Sequence, residues 1–224
     1  MKFSGIQKIL RRIFQGMKGS QKYIPERYWK KRHRKYGFNF RGVGNCTLSA
    51  EENELVYQQA KSIFLSLCHD QKINFVKSKI LDIGCGTGYY AGIVKEEGGK
   101  DYLGIDITDQ LFPDLRKKFP EYSFQKVDIS KVKLNKHFDL IIMIDVTQHI
   151  DNSKTFFLAM KNIASLLSLN GVFIVTSWLS KEFKRRTYYE VERPIGEYRK
   201  AFPGFVFSEP ILFRDKYIMA IRKS

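Results

Sequence analysis

Asp82 and three glycines at alternate positions, Gly84, Gly86 and Gly88, stand together in the stretch Lys-Ile-Leu-Asp-Ile-Gly-Cys-Gly-Thr-Gly-Tyr-Tyr, residues 79–90. Glycine has no Cβ, so it accepts φ > 0 and lets a ligand lie against bare backbone. With Cys85 between them, these glycines make a loop fit for a ligand at a helix N-terminus. The spacing is not the G-x-G-x-x-G of dinucleotide sites. A carboxylate at Asp82 would repel a pyrophosphate, and it suits a ligand whose positive end lies over the turn. Asp106 follows about 20 residues past the loop, where an acid accepts both hydroxyls of a ribose. His149 is a candidate general base, since an imidazole takes up a proton near neutral pH. The competing reading of His149 is a residue that packs locally at a helix start.

These side chains need rigid elements to hold them, and the apolar pattern supplies candidates. Ile80 to Ile83 reads as a buried strand and Tyr89 to about Glu97 as the helix after the loop. Lys100 to Ile107, Tyr122 to Val127, Phe138 to Ile144 and Val172 to Ser177 read as further strands. The uniformly apolar Phe138–Ile144 run implies cover on both faces. Helices are expected over about 109–119 and 152–169, the second stopped at Asn170-Gly171. Ser49 and Glu52 form a capping-box signature ahead of a helix from about Ala50 to Leu67, with Leu55, Ala60, Ile63, Phe64 and Leu67 along one face. Phe205–Phe207 and Ile211–Ile221 can supply the last strands. Alternating strands and helices predict an α/β, doubly wound, mostly parallel sheet, with ligands at the carboxyl ends of its strands.

Asp82 followed by Gly84, Gly86 and Gly88 resembles the first motif of class I S-adenosylmethionine-dependent methyltransferases, an acid and then G-x-G-x-G. The bland alternative is a glycine-rich turn of another α/β domain. Asp106, Asp128 and Asp145 at the ends of the next three strands favour the resemblance, which covers about residues 50–224. It implies a seven-stranded Rossmann-like sheet closed by an antiparallel pair, with S-adenosylmethionine as cofactor. It implies that Asp82 supports the loop and the methionine ammonium, and that Gly84, Cys85, Gly86 and Gly88 cradle the cofactor. Asp106 with Ile107 would take the ribose, Asp128 the adenine amine and Ile129 the ring face. Asp145 joins this set.

The acceptor is expected at the loops after strands four and five. The first runs Asp-Val-Thr-Gln-His-Ile, residues 145–150. Quinone-pathway O-methyltransferases carry acid-x-x-acid-His here and bind a divalent metal. Gln148 replaces the second acid, which argues against a magnesium site. The second loop, Trp178 to about Phe202, holds Arg185, Tyr188 and Tyr189. With Gln148 and Trp178 they are candidate acceptor contacts for an anionic or sugar-bearing molecule; the competing reading is an exposed basic face. The Asn-Pro-Pro-aromatic signature of amino-group DNA and protein-glutamine methyltransferases is absent. The resemblance therefore implies methyl transfer to a small-molecule, glycan or lipid-linked acceptor, at oxygen or at a small-molecule amine. Rival readings are an RNA methyltransferase and a SAM-binding partner subunit without chemistry.

The chain has 224 residues and a formal net charge of +16. Residues 1–44 hold thirteen basic residues against one acid, Glu26, so +12 lies there. The excess predicts an anionic partner surface, membrane or nucleic acid. Phe3, Ile6, Ile9, Leu10, Ile13, Phe14 and Met17 have helical spacing among Lys2, Lys8, Arg11, Arg12 and Lys18. This basic amphipathic pattern fits a helix lying on anionic lipid, or one packed on the domain with its basic face in water. Residues 25–44 interleave aromatics and cations, as nucleic-acid grooves do. They also resemble a methyltransferase lid, with Trp29 and Arg41 over the methionine end. Residues 1–48 are thus read as extension and lid, and 49–224 as the cofactor-binding domain. Cys46, Cys68 and Cys85 make no C-x-x-C pair and fit reduced thiols in a cytoplasm. No apolar run approaches the ~20 residues of a membrane span, so a cytoplasmic or peripheral membrane location is expected.

Overall fold

The computed structural model describes residues 22–45 and 47–223, and the amphipathic stretch 3–17 lies outside them. Pro25 opens helix α1 (Pro25–Tyr36), where its missing N–H costs nothing. A short α2 (Phe40–Val43) follows, and then α3 (Ala50–Asp70). The α3 start is the expected reciprocal cap: Glu52 N–H donates to Ser49 Oγ at 3.0 Å, and Ser49 N–H donates to Glu52 Oε2 at 2.7 Å. Leu55 departs from the expected buried stripe and is 59% exposed, and Asn53, Tyr57, Ala60, Phe64, Leu67 and Cys68 make the inner face instead.

The remaining elements are β1 (Lys79–Ile83), α4 (Tyr89–Glu96), β2 (Asp101–Asp106), α5 (Phe112–Lys118), β3 (Ser123–Lys126) and β4 (Phe138–Met143). Then come a 3-10 turn (Thr147–His149), α6 (Ser153–Leu166), β5 (Leu167–Ser177), β6 (Lys184–Thr187) and β7 (Glu190–Glu192). The chain closes with α7 (Ile195–Ala201), β8 (Phe205–Phe207), β9 (Ile211–Phe213) and β10 (Lys216–Lys223). The main sheet runs β3-β2-β1-β4-β5-β10-β8, with β9 on another part of β10. Strands β1 to β5 pair in parallel, whereas β10 is antiparallel to β5, β8 and β9. The doubly wound, seven-position sheet is as expected.

Strand alternation divides the core between two faces. Ile80, Leu140, Ile142 and Ile174 pack with α3, α4 and α5. Leu81, Ile141, Met143 and Phe173 pack with α6 and α7. Two segments depart from the sequence reading. Helix α6 ends at Leu166, and Asn170-Gly171, expected to stop it, lies inside β5. A Cβ at Gly171 would meet the Phe138 carbonyl oxygen at 2.8 Å, so the glycine serves close strand approach at a register shift. The stretch after β5 folds as the separate β6–β7 hairpin.

Candidate active site

The carboxyl ends of β1 to β4 meet at one cavity of about 980 Å³. The upper limit for a small-molecule pocket is about 1,000 Å³, so it has room for more than one ligand. Ile83 and the glycine loop form its floor, Asp106, Ile107, Asp128 and Ile129 one side, and Asp145 and His149 the other. Trp29 and His33 of α1 close over it.

The loop geometry explains two glycines. Gly84 has φ +78 and a Cβ there would lie 2.4 Å from Val146 Cγ2; Gly86 has φ +51 and its Cβ would lie 2.8 Å from Val43 Cγ1. Any side chain would therefore be strained in its backbone and would also push away the β4–α6 connection or the lid. Gly88 is off the cavity wall: it caps α4, where a Cβ would meet Leu115 Cδ2 at 2.5 Å. Its role is helix packing. Cys85 is buried on the wall, and burial pushes its thiol well above the ordinary range.

Asp82 does not line the cavity, contrary to the expectation that it supports a ligand's ammonium. Strand alternation turns it toward the α3–α4–α5 side, where its Oδ2 accepts the Tyr102 hydroxyl at 2.6 Å. Burial pushes its carboxyl up to about 7. Asp106 does reach the cavity. Its Oδ2 accepts Gly86 N–H at 3.3 Å and its Oδ1 accepts Thr108 N–H at 3.0 Å, so it ties the loop to the end of β2. Burial raises Asp106 to about 6, against the pull of these N–H groups. Asp128 sits on the wall with Oδ1 accepting Ser130 N–H and Oγ–H and Oδ2 facing Lys131 at 2.9 Å. Burial opposes its charge, and these partners outweigh burial and lower its pKa.

Asp145 is the most heavily compensated acid. Lys216 Nζ lies 2.8 Å from Oδ1, and the Arg214 guanidinium holds Oδ2. Burial alone would raise this carboxyl, but the two cations hold it far below the usual range. Asp145 and Arg214 both have left-handed backbone, φ 62 and 61, a conformation uncommon outside glycine. Nothing in the local sequence links either cation to Asp145, because both lie some seventy residues away in the chain.

His149 ends the 3-10 turn on the cavity wall. Its Nδ1 lies 3.1 Å from the Tyr189 carbonyl oxygen, which can only accept, so Nδ1 carries the proton and Nε2 keeps its lone pair. The Tyr189 ring stacks on the imidazole at 5.5 Å and Trp29 meets it edge-on at 5.0 Å. Burial lowers its pKa to about 4. The hairpin thus reaches the site through the Tyr189 backbone. Tyr188 and Arg185 line the cavity, and Arg185 pairs with Asp151 at 3.1 Å.

Four expected contacts, Arg41, Gln148, Trp178 and Tyr189, lie off the cavity wall. Arg41 is exposed on α2, with its guanidinium over the Tyr36 ring at 5.4 Å. Gln148 is buried off the wall, its Oε1 without a partner. Trp178 donates to Asp215 Oδ2 at 3.1 Å and stacks under Arg186 at 4.2 Å. His33, hidden in the sequence among lysines and arginines, does line the cavity. Its Nδ1 lies 3.3 Å from Thr108 Oγ1, burial lowers it to about 4, and its buried Nε2 has no partner. Tyr90 also lines the cavity with a buried, unpartnered hydroxyl. Such orphan groups are costly unless a ligand meets them. With the bare loop and the Asp106 carboxylate, they fit a polar cofactor. Among the described residues, no group of His, Cys, Asp and Glu can hold a metal ion.

Residues 81–173 match the family model described as Methyltransferase domain. The magnesium protoporphyrin IX methyltransferase of Synechocystis, solved with bound S-adenosylmethionine, superposes with a TM-score of 0.68 at 19% identity, covering 92% of this chain and 100% of that one. The chain has the fold of class I S-adenosylmethionine-dependent methyltransferases, and its residues 81–173 match the methyltransferase domain. A methyltransferase-like protein of Schizosaccharomyces pombe is 27% identical over 58% of this chain and 49% of its own length. The ubiquinone biosynthesis O-methyltransferase of Rickettsia canadensis is 25% identical over 45% and 43%. The chain spans about half the length of the curated relatives it matches.

In this methyltransferase domain, Asp106 stands where the resemblance puts the ribose hydroxyls. Asp106→Asn should weaken S-adenosylmethionine binding by about 10- to 100-fold, the scale of a charge-assisted hydrogen bond. The bond needs the ionised acid, so wild-type affinity should fall as pH drops through about 6, and the asparagine variant should lose that dependence. Calorimetry between pH 7.5 and 5 checks both; unchanged affinity in the variant would remove Asp106 from the site.

Proposed function

We propose that this protein transfers a methyl group to a hydroxyl of a small-molecule, glycan or lipid-linked acceptor. S-adenosylmethionine, when bound, supplies the electrophilic methyl carbon. Asp106, Asp128 and the Gly84–Gly86 backbone would hold its adenosine part, and His33 Nε2 is a further polar group beside Thr108. The observation that carries the reading is His149: with Nδ1 committed to the Tyr189 carbonyl, Nε2 is the nitrogen free to take a proton. Burial keeps this imidazole unprotonated throughout the neutral range, at the expense of its basicity. Asp145 is unfit for that task, since both its oxygens already hold cations. Tyr23, Trp29 and Tyr188 wall the outer cavity and would exclude water from the reacting groups. The Rickettsia relative is an O-methyltransferase, which supports the same atom here.

The test is release of S-adenosylhomocysteine on addition of acceptors. A panel of paired hydroxyl and amine compounds, with short and long apolar tails, should give turnover with hydroxyl members. Transfer confined to amines would move the acceptor atom to nitrogen. Cofactor binding without transfer to any member, or to structured RNA, would favour the non-catalytic partner subunit.

A further inference from the structure

Among the described residues, Ile24, Leu158 and Tyr188 are large apolar side chains left 42%, 45% and 38% exposed, and all three line the cavity just described. They come from three separate elements: the segment before α1, helix α6 and the β6–β7 turn. Monomeric proteins rarely gather exposed apolar groups around an opening without a use. The charges on this rim are one-sided. Its acids are matched: Asp151 pairs with Arg185 at 3.1 Å, Asp128 with Lys131 at 2.9 Å and Glu26 with Lys126 at 2.5 Å. Lys22 and Lys154 also line the cavity, and no ion pair engages either among the described residues. On α6, exposed Lys154, Leu158 and Lys161 follow at intervals of four and three, so they form one outward stripe.

The chain outside the described structure arrives at the same place. Residues 1–21 contain five cations and no acid, and they join the fold at Lys22, on the rim. Their apolar residues are spaced as in an interfacial helix. We infer that the cavity mouth is a docking face for an anionic lipid bilayer, and that the acceptor is an amphiphile entering from that bilayer. This rests on the methyltransferase reading and adds the partner and the acceptor class. A nucleic acid would draw on the lysines alone, because exposed Ile24 and Leu158 offer a phosphate backbone nothing. A bilayer takes up both features: aliphatic side chains enter the acyl boundary while lysines meet lipid phosphates. The acceptor's tail then stays in lipid and its polar reacting end reaches His149 between Tyr23 and Tyr188.

The full chain should be sedimented with phosphatidylcholine vesicles, with and without about one quarter phosphatidylserine. Strong binding is expected only with the anionic lipid. Ile24→Glu with Leu158→Glu should lower that binding about tenfold or more, while melting temperature and S-adenosylmethionine affinity stay as in the wild type. If the glutamate pair does not fold, Ile24→Ser with Leu158→Ser replaces it, with the same direction of change. A folded rim variant that binds anionic vesicles like the wild type overturns the docking face. So does tight binding of structured RNA by a wild-type chain that ignores vesicles. Calorimetry with S-adenosylmethionine is run beside these assays. If the wild type binds no cofactor, the methyltransferase reading fails; if it binds cofactor but no vesicle, only the docking face fails.

Discussion

Replacing His149 by alanine is expected to lower turnover about 100-fold or more, with S-adenosylmethionine affinity nearly unchanged. The size is that of a lost general base. The affinity should hold because the adenosine side is built on Gly84, Gly86 and Asp106, across the cavity from the imidazole. The alanine also removes the ring on which Tyr189 stacks, so His149→Gln is the needed companion. Its amide can still donate to the Tyr189 carbonyl while offering no comparable base. Equal losses in both variants, at unchanged melting temperature, indicate proton transfer. Recovery of turnover in the glutamine variant would mean that His149 serves only to hold the hairpin. At saturating S-adenosylmethionine, the wild-type rate should also be flat through neutral pH and fall on the acid side as the imidazole protonates, at about 4 in the free protein.

The second large effect concerns stability. Asp145→Asn is expected to cost about 3–5 kcal/mol, the usual penalty for removing one member of a buried charge cluster. For a chain of this size that is on the order of 10 °C in melting temperature. Asparagine tolerates the left-handed backbone at this position, so the loss would report charge and not strain. Arg214 and Lys216, 12% and 8% exposed, would then be left without the shared carboxylate. Adding Arg214→Met should restore part of the loss, a coupling that a double-mutant cycle measures. The depressed pKa of Asp145 fixes the sign of its pH dependence. Its contribution is fully present above the ordinary carboxylate range, near 3.9, and disappears only in stronger acid. A melting temperature unmoved by Asp145→Asn would show that the cluster is wetter than its burial implies.

What could be read from the sequence was what local chemistry encodes. The strand, the glycine loop and the following helix carry their own pattern, and the acids at the ends of β2 and β4 fall on the cavity because parallel strands end together. Asp82 shows the limit: it lies in the same motif, yet the two-residue alternation of β1 turns it to Tyr102 and away from the ligand side. The β6–β7 hairpin was illegible because Lys-Arg-Arg-Thr-Tyr-Tyr-Glu-Val-Glu has neither a glycine turn nor apolar alternation. Its place is set by aromatic contacts from far along the chain, such as Tyr28 stacked on Tyr189 at 4.6 Å. His33 is unmarked in the sequence for a related reason: in a run of cations, nothing distinguishes the position whose side chain faces inward. Arg214 and Lys216 sit on strands found by apolar pattern, but their shared partner is a matter of tertiary distance.

Helix α1 covers the cavity with one fully buried side chain, His33. Its other ties include an exposed Glu26–Lys126 pair, an exposed Arg34–Gln110 hydrogen bond at 2.9 Å, ring contacts of Tyr28 and Trp29 with Tyr189 and His149, and Arg32 hydrogen bonds to the Arg41 and Gly44 carbonyls. Such contacts open at a small fraction of the free energy that unfolds a sheet. The floor of the cavity is the opposite, being made from β1, β2 and a loop fastened through Asp106. A spent cofactor on that floor would have to leave past the helix above it, so the opening of α1 would gate its departure.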